Sequence, residues 1–458
     1  MWTSLRRPTN AILAVAGAGL LVLQFHAAAQ VRLAKDPGPR GGSPGAGDPL
    51  PGLSDAETEY FYAAQTEFGA EEGVDEGLGP RMNLDSCQGC HTHPAVGGSS
   101  PPVNPQASFN SKQGGADSLP SFISVNGPVR ETRFVRNADG TPDGGVHALF
   151  TITGRAGADG CTLKQPDYDT QLARNNVVFR IPTPTYGDGL IESIPDSEIV
   201  ANANKNAGAK SALGIHGRPN FSLAGMTISG QTNNNGNDGT IARFGWKAQN
   251  KSLLVFSGEA YNVEMGVTNE VFQTERDETT ACQFAPVPND TTNMAAATAF
   301  DGISDVEKFA IFMRMLGAPV PSTTSPGGSS SITNGSSVFN TVGCALCHTP
   351  TMMTGNASIA ALRNKPVNLY SDLLVHDMGV GLADGVSQAE AGPREFRSAP
   401  LWGLGQRLFF LHDGRTSDLL AAIRAHMSIG SEANGVTANF MRLSESDKQD
   451  VLNFLRSL

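Results

Sequence analysis

Cys87-Gln88-Gly89-Cys90-His91 and Cys344-Ala345-Leu346-Cys347-His348 repeat one pattern, C-x-x-C-H. Two cysteines three apart, followed at once by histidine, suit the covalent attachment of a c-type haem. The thiols add to the two vinyl groups of one macrocycle, and the imidazole falls beneath the iron as its proximal ligand. Half a zinc site and a redox disulfide are the competing chemistries for C-x-x-C. Zinc is disfavoured because no second Cys/His pair stands at a familiar spacing. The expectation is two covalently bound c-type haems (heme c, iron), with His91 and His348 as metal ligands. Two of the six cysteines are left over, Cys161 and Cys282. They are candidates for a disulfide in an oxidising compartment, and unpaired buried thiols are the alternative.

Each iron also needs its far side accounted for. Thr416-Ser417-Asp418 opens a helix with apolar Leu419, Leu420 and Ile423. His426 lies three residues past Ile423 and seven past Leu419, on the same face. Met427 is the neighbouring candidate, and a hydrogen-bonded core histidine that binds no metal is the third possibility. A His/Met axial pair raises a haem potential, so a His/His pair at the second haem would sit lower. The first haem offers less. His93 is too close to His91 to reach the opposite face, and His147, His216, Met226 and Met265 carry no supporting local pattern. An open iron is the equal alternative there. An open iron binds peroxide or oxygen, whereas a closed one only passes electrons.

The elements that position these residues can be read around them. Ser54-Asp55-Ala56-Glu57 is a capping box that opens a helix carrying Tyr60, Phe61, Ala64 and Phe68 and ending near Gly69. Ser304-Asp305-Val306-Glu307 reads as a second capping box, followed by Phe309, Ala310, Met313 and Leu316, with Gly317 and Pro319 as the stop. A helix with Val338 and Phe339 runs into the second motif. Ser444 and Asp447 cap a final helix lined by Val451, Leu455 and Leu458. Between 94 and 291 only short runs such as Ala148–Ile152 and Asn176–Ile181 read as strands among Gly, Pro and Asn turns. The Asn233–Gly239 loop lacks the acidic pattern of an EF-hand, so calcium is unsupported.

Arg6-Arg7, the apolar run Ala11–Leu23 and Ala27-Ala28-Ala29 before Gln30 have the form of a cleavable secretory signal, a retained anchor being the alternative. The expected fold is therefore mainly α, with two cytochrome c-like haem domains, the first elaborated by long loops and short β-strands. Its divisions are a signal peptide (1–29), a flexible linker (30–53), an N-terminal haem domain with a long irregular insertion (54–320), a linker (321–331) and a C-terminal cytochrome c-like domain (332–458). Export implies the periplasm, and no later stretch reads as a membrane span. The formal charge is −11. It becomes more negative once Arg6 and Arg7 are removed, which disfavours nucleic acid and suits basic partners such as a small cytochrome c or cupredoxin. The sequence carries no signal for oligomeric state.

The stretch Phe396-Arg-Ser-Ala-Pro-Leu-Trp-Gly-Leu-Gly, the turn Phe410-Leu-His-Asp-Gly-Arg and the Leu419 helix ending at His426 resemble the bacterial di-haem oxidoreductase family. That family is also labelled thiol oxidoreductase-like. Tyr370-Ser-Asp-Leu-Leu-Val-His-Asp-Met-Gly, Arg243-Phe-Gly-Trp-Lys-Ala and Gly77-Leu-Gly-Pro add to the resemblance, which extends distantly to di-haem cytochrome c peroxidases and MauG. It implies two redox-coupled haems. In those peroxidases a Met stands twelve residues after the glycine of a His-Asp-Gly turn; here the turn closes at Gly414, and that position is His426. This supports His426 as ligand and departs from the high-potential electron-entry haem. Arg243, Arg394, Arg397 and Arg415 are candidates to pair with propionates, a surface charge being the plainer role of each. His412 is a candidate to hydrogen-bond a propionate or to support the residues around the iron, with loop formation as the plainer role. Trp246 and Trp402 are candidates to lie between the haems, with core packing as the alternative. Tyr370 and Glu131 are candidates for groups near a reactive iron. Two functions compete on this reading: a peroxidase-type oxidoreductase with an open first haem, and an electron-transfer cytochrome with both haems six-coordinate.

Overall fold

Ser54 starts the first helix as its capping box predicts. Its hydroxyl accepts from the Glu57 amide at 3.3 Å, and the Glu57 carboxylate accepts from the Ser54 amide at 2.8 Å, so two orphan donors are satisfied. The helix, α1 (Asp55–Phe68), buries Phe61, Ala64 and Phe68 and stops at Gly69. The computed structural model describes residues 33–458, apart from 116–117, 144, 222–226, 229–230 and 233–239. The expected signal, Met226 and the Asn233–Gly239 loop lie outside the described residues.

Helix α2 (Leu253–Met265) is capped by Ser252 and buried on nearly every side. It packs on α3 (Asp305–Met315), which also packs on α1; the rings of Phe68 and Phe312 stand 4.6 Å apart at that contact. The start of α3 departs from the expected second capping box. Ser304 makes no cap; the Asp290 carboxylate accepts from the Asp305 amide at 2.8 Å and the Val306 amide at 3.1 Å. A charged acceptor delivered by a distant loop outcompetes the local hydroxyl.

A second set of crossing helices lies further along the chain. Helix α4 (Ser329–Val342) leads into the second C-x-x-C-H. The short α5 (Leu419–Ala425) is capped by Asp418, whose carboxylate accepts from the Ala421 amide at 2.7 Å. The terminal α6 (Glu445–Ser457), capped by Ser444 as expected, crosses α4. At the crossing Gly335 is obligatory, because a Cβ there would stand 2.0 Å from the Asp450 carbonyl oxygen.

Short strands brace the irregular part. β1 (Glu131–Phe134), β2 (Val146–His147) and β3 (Val177–Arg180) form an antiparallel sheet in the order β2-β1-β3, with Glu131 opposite Arg180. β4 (Val375–Asp377) pairs with β5 (Glu395–Arg397), setting His376 opposite Phe396. Cys161 and Cys282 are joined as a disulfide.

The divisions expected from composition do not all hold. The stretch read as a flexible linker is tied down from Ala34 onward: the Ala34 amide donates to Glu445 at 2.8 Å, and Asp36 takes two hydrogen bonds from buried Arg456 at 2.8 and 2.7 Å. A guanidinium without exposure needs a carboxylate, and Asp36 in this extended segment supplies it. The 321–331 linker is likewise short, since α4 begins at Ser329 and the Ser322 amide donates to Ser457 at 2.7 Å. One hydrophobic core gathers around α1, α2 and α3; a second joins Phe339, Phe410, Leu419, Phe440 and Phe454. Ala34–Leu458 nevertheless make one compact unit. Among the described residues no helix is long and apolar enough to cross a membrane.

Candidate active site: two chambers with a shared wall

The first C-x-x-C-H forms one helical turn, capped by the Ser86 hydroxyl. It opens on a chamber of about 1140 Å³, part of it open to solvent, which is ample for a large planar cofactor. Phe68, Phe309 and Met313 close one side. Neither cysteine is in a disulfide, and burial raises both thiols. His91 Nδ1 lies 3.1 Å from the Gly98 carbonyl, and burial lowers its pKa. The ring also has a hydrogen bond with the Thr183 backbone, and a neutral ring that donates from Nδ1 carries its lone pair on Nε2, the nitrogen that would bind a metal.

The rest of this chamber is polar. Glu131, Glu259 and Glu264 line it beside Arg130, Arg133 and Arg180. Arg133 Nη2 stands 3.3 Å from Glu131. Burial works against ionisation of Glu131, but Arg133, a hydrogen bond with Glu264 and the charge of Arg180 outweigh it and hold this carboxyl below its usual range. Burial and the charge of Glu131 push Glu264 well up. Burial also raises Glu259, to about 7, against the pull of Arg133 and a hydrogen bond with Asn250. Such a set places an ionised carboxyl beside one pushed toward its acid form, the pairing that general acid–base chemistry uses. Of the distal-ligand candidates among the described residues, only Met265 lines this chamber. His147 is held by Asp143 at 2.7 Å and stacks on Phe134, His93 Nε2 meets the Gln406 carbonyl at 2.9 Å, and His216 is exposed.

The second chamber, about 1420 Å³, is mostly apolar and is lined by Cys344, Cys347, His348 and His426. His348 Nδ1 lies 3.1 Å from the Tyr370 carbonyl, and His426 Nδ1 lies 2.8 Å from Ala422. Both rings thus keep Nε2 free. Burial, with His426 nearby, brings His348 down to about 4, and burial lowers His426 too. Met427 is 45% exposed and lines neither chamber. Two neutral imidazoles on one cavity can hold an iron from both sides.

Trp246 lines both chambers. Gly245, at φ +83°, makes the turn that presents it, and its Nε1 donates to Ile181 at 2.9 Å. Beside it His412 stacks on Phe396 at 4.3 Å, its pKa held well below 6.5 by burial and then by Arg180, Arg415 and Lys247. His412 belongs to the wall of the second chamber, and its carbonyl accepts from the Ile181 amide. Trp402 and Tyr370 line neither chamber. Trp402 packs over Gly187 in the main core, and Tyr370 lies between Phe339 and Phe454 behind His348.

The arginines separate cleanly. Arg243 is buried away from both chambers, bonded to Asp196 and to the carbonyls of Ile191, Ile194 and Ile241. Arg394 pairs with Asp377, and Arg415 with Asp413, at the surface. Arg397 does line the second chamber, as does Arg407, which the sequence reading missed. Burial brings each down to about 10, and the Nε of each lacks an acceptor among the described residues. In the first chamber Arg130 Nε and Arg180 Nη1 are in the same position. Buried guanidinium N–H groups of this kind call for anions. Haem propionates are such anions, so both chambers fit the group that their C-x-x-C-H motifs imply.

Two haem-sized chambers, each beside a C-x-x-C-H and sharing a tryptophan wall, define a two-cofactor redox protein. Residues 129–458 match the family described as "Di-haem oxidoreductase, putative peroxidase", and the chain belongs to that family. The match begins beyond the first C-x-x-C-H. No curated protein matches the chain. Among solved structures, a chain of hydrazine synthase from Kuenenia stuttgartiensis, pressurised with xenon, aligns at 18% identity with a TM-score of 0.24. The alignment covers 35% of this chain and 58% of that one, and at that score it carries no structural argument.

Proposed function

We propose that this di-haem oxidoreductase is an exported, periplasmic c-type cytochrome that reduces hydrogen peroxide in the first chamber with electrons relayed from the second. The observation that carries the reading is the inequality of the walls: in the second chamber His348 and His426 each engage Nδ1 with a backbone carbonyl and leave Nε2 for a metal, whereas the first sets carboxyls and arginines around a single histidine. In this reading Cys87 and Cys90, and Cys344 and Cys347, hold the haems by thioethers; His91 and His348 are proximal ligands and His426 closes the second iron. When bound, the haems supply the electrons and a site for the peroxide oxygen. The protein supplies the protons: the Glu131 carboxylate takes one from a peroxide oxygen and returns it to the oxygen that leaves. Arg130 and Arg180 bind propionates in the first chamber, and Arg397 and Arg407 do so in the second. Trp246 bridges the two. Each helix pair, α1 with α3 and α4 with α6, then serves as the crossing pair of a cytochrome c-like domain. The acidic surface steers a small basic electron carrier, a cytochrome c or a cupredoxin, to the protein.

Met265 in the first chamber supports the second reading, an electron-transfer cytochrome with both irons closed. Spectra of the purified protein decide between them. A high-spin haem that shifts with cyanide or peroxide, in the resting or the half-reduced form, is expected. Two low-spin, unreactive haems in both forms refute the peroxidase reading.

A further inference from the structure

The first chamber holds more carboxyls than one acid–base residue requires. Glu131 comes from β1, while Glu259 and Glu264 come from α2, a buried helix with no other charged residue. Glu259 is 3% exposed. Glu131 and Glu264 keep slightly more surface, and both line the chamber. These two are hydrogen-bonded to each other. Two carboxylates cannot make that bond without a proton between them, so one of the pair is an acid. Arg133 stands against Glu131, which makes Glu131 the anion and Glu264 the acid.

An independent feature points to a small polar guest beside this pair. Asn83 lines the same chamber at 2% exposure, with neither end of its side-chain amide engaged among the described residues. An amide offers a donor and an acceptor side by side, and hydrogen peroxide is both at each oxygen.

Resting on the peroxide-reducing reading of this chamber, we infer that Glu264 is a proton store that reloads Glu131 during turnover. Reduction of hydrogen peroxide breaks its O–O bond, consumes two electrons from the haems and two protons, and releases two waters. Glu131 moves one of the peroxide's own protons between its oxygens, completing the first water. Glu264 then passes its proton through Glu131 toward the second water, solvent supplies the other proton, and solvent reprotonates Glu264. The arrangement matters because it keeps one of the two protons inside the chamber at the moment of reaction.

Infrared difference spectra in H2O and D2O read the carbonyl stretch of a protonated carboxyl directly. Wild type is expected to show an acid component sensitive to D2O that disappears in Glu264→Gln and survives in Glu264→Asp. Glu264→Gln should still bind cyanide at the first haem, while peroxide turnover falls by about 10²-fold, regains rate with added small acids, and acquires a larger solvent isotope effect. If Glu264→Gln fails to load its haems, Glu264→Asp carries the test: loss of the acid component in that variant overturns the proposal. A wild type that reacts with peroxide while Glu264→Gln leaves both spectrum and turnover unchanged overturns the proposal alone. A wild type inert to peroxide and cyanide overturns the chamber reading and the proposal together.

Discussion

Gly335→Ala sets two well-measured effects against each other. Glycine inside a helix costs about 0.5–1 kcal/mol relative to alanine, so propensity alone expects the variant to gain stability. The crossing of α4 and α6 expects the opposite. The new Cβ would lie 2.0 Å from the Asp450 carbonyl oxygen, 2.5 Å from its carbon and 2.8 Å from Phe454 Cβ. Comfortable contacts lie near about 3.5 Å, so the helices must part by about 1 Å or more. Two of the three obstructing atoms are backbone and cannot rotate away. Overpacking of this kind costs about 1–3 kcal/mol, more than propensity returns. Phe339 on α4 and Val451 and Leu455 on α6 line the second chamber, so the haem there should register the same displacement. Thermal unfolding of the haem-loaded protein, followed by circular dichroism and by haem absorbance, measures both effects. Ser337→Ala, at an exposed position of the same helix, is the control and should move stability by less than about 0.5 kcal/mol. A Gly335→Ala protein at least as stable as the control refutes the close crossing.

Other perturbations separate the remaining roles. His426→Ala should turn one haem high-spin while Met427→Ala leaves the spectrum unchanged; the reverse pattern in optical or magnetic spectra removes His426 from the iron. Trp246→Phe should slow electron exchange between the haems in flash or stopped-flow kinetics without altering either haem spectrum, and unchanged kinetics remove it from the path. Asp188 is raised to about 7 by burial, opposed by Arg397 and helped by Glu192. The folded state therefore holds a proton between about pH 4 and 7 that the unfolded state has lost, and stability falls as pH rises through that window, by up to about 1.4 kcal/mol per pH unit. Asp188→Asn should flatten that slope in denaturant titrations, and an unaltered slope assigns it to other groups. Cys161→Ser opens a bond between residues 121 apart in sequence, and urea unfolding should show a loss of about 4–5 kcal/mol in the chain-entropy limit.

Local signals carried the sequence reading well. The Ser54 capping box, the helix running into Cys344 and the helix before His426 are written in adjacent residues. Each appears within a residue or two of its expected place. What local pattern did not reveal was the use of charge across long separations. Asp290 caps α3 from another loop, Asp36 neutralises Arg456, and Arg243 turns inward to Asp196 rather than to a propionate. Arg407, Glu259 and Glu264 reach their chambers only when distant segments close over them. One trace was present: Leu253–Met265 is an apolar helix carrying two glutamates with no Lys or Arg inside it. Carboxyls on a helix buried on nearly all sides are costly, which is a reason to look for function there.

The boundary of the family match sharpens the relation between the chambers. The match starts at residue 129, after the first C-x-x-C-H, yet it includes Glu131, Arg180, Trp246 and Glu264, which wall the chamber of that motif. The segment before it contributes Phe68, Asn83, the two cysteines and His91, the residues that would hold the haem by its thioethers and imidazole among them. The first chamber is therefore closed only when both segments fold together, and α3 packing on α1 through Phe68 and Phe312 is the contact that joins them. The second chamber lies wholly within the matched segment, Trp246 included. Loss of packing between α1 and α3 should accordingly disturb the first chamber before the second.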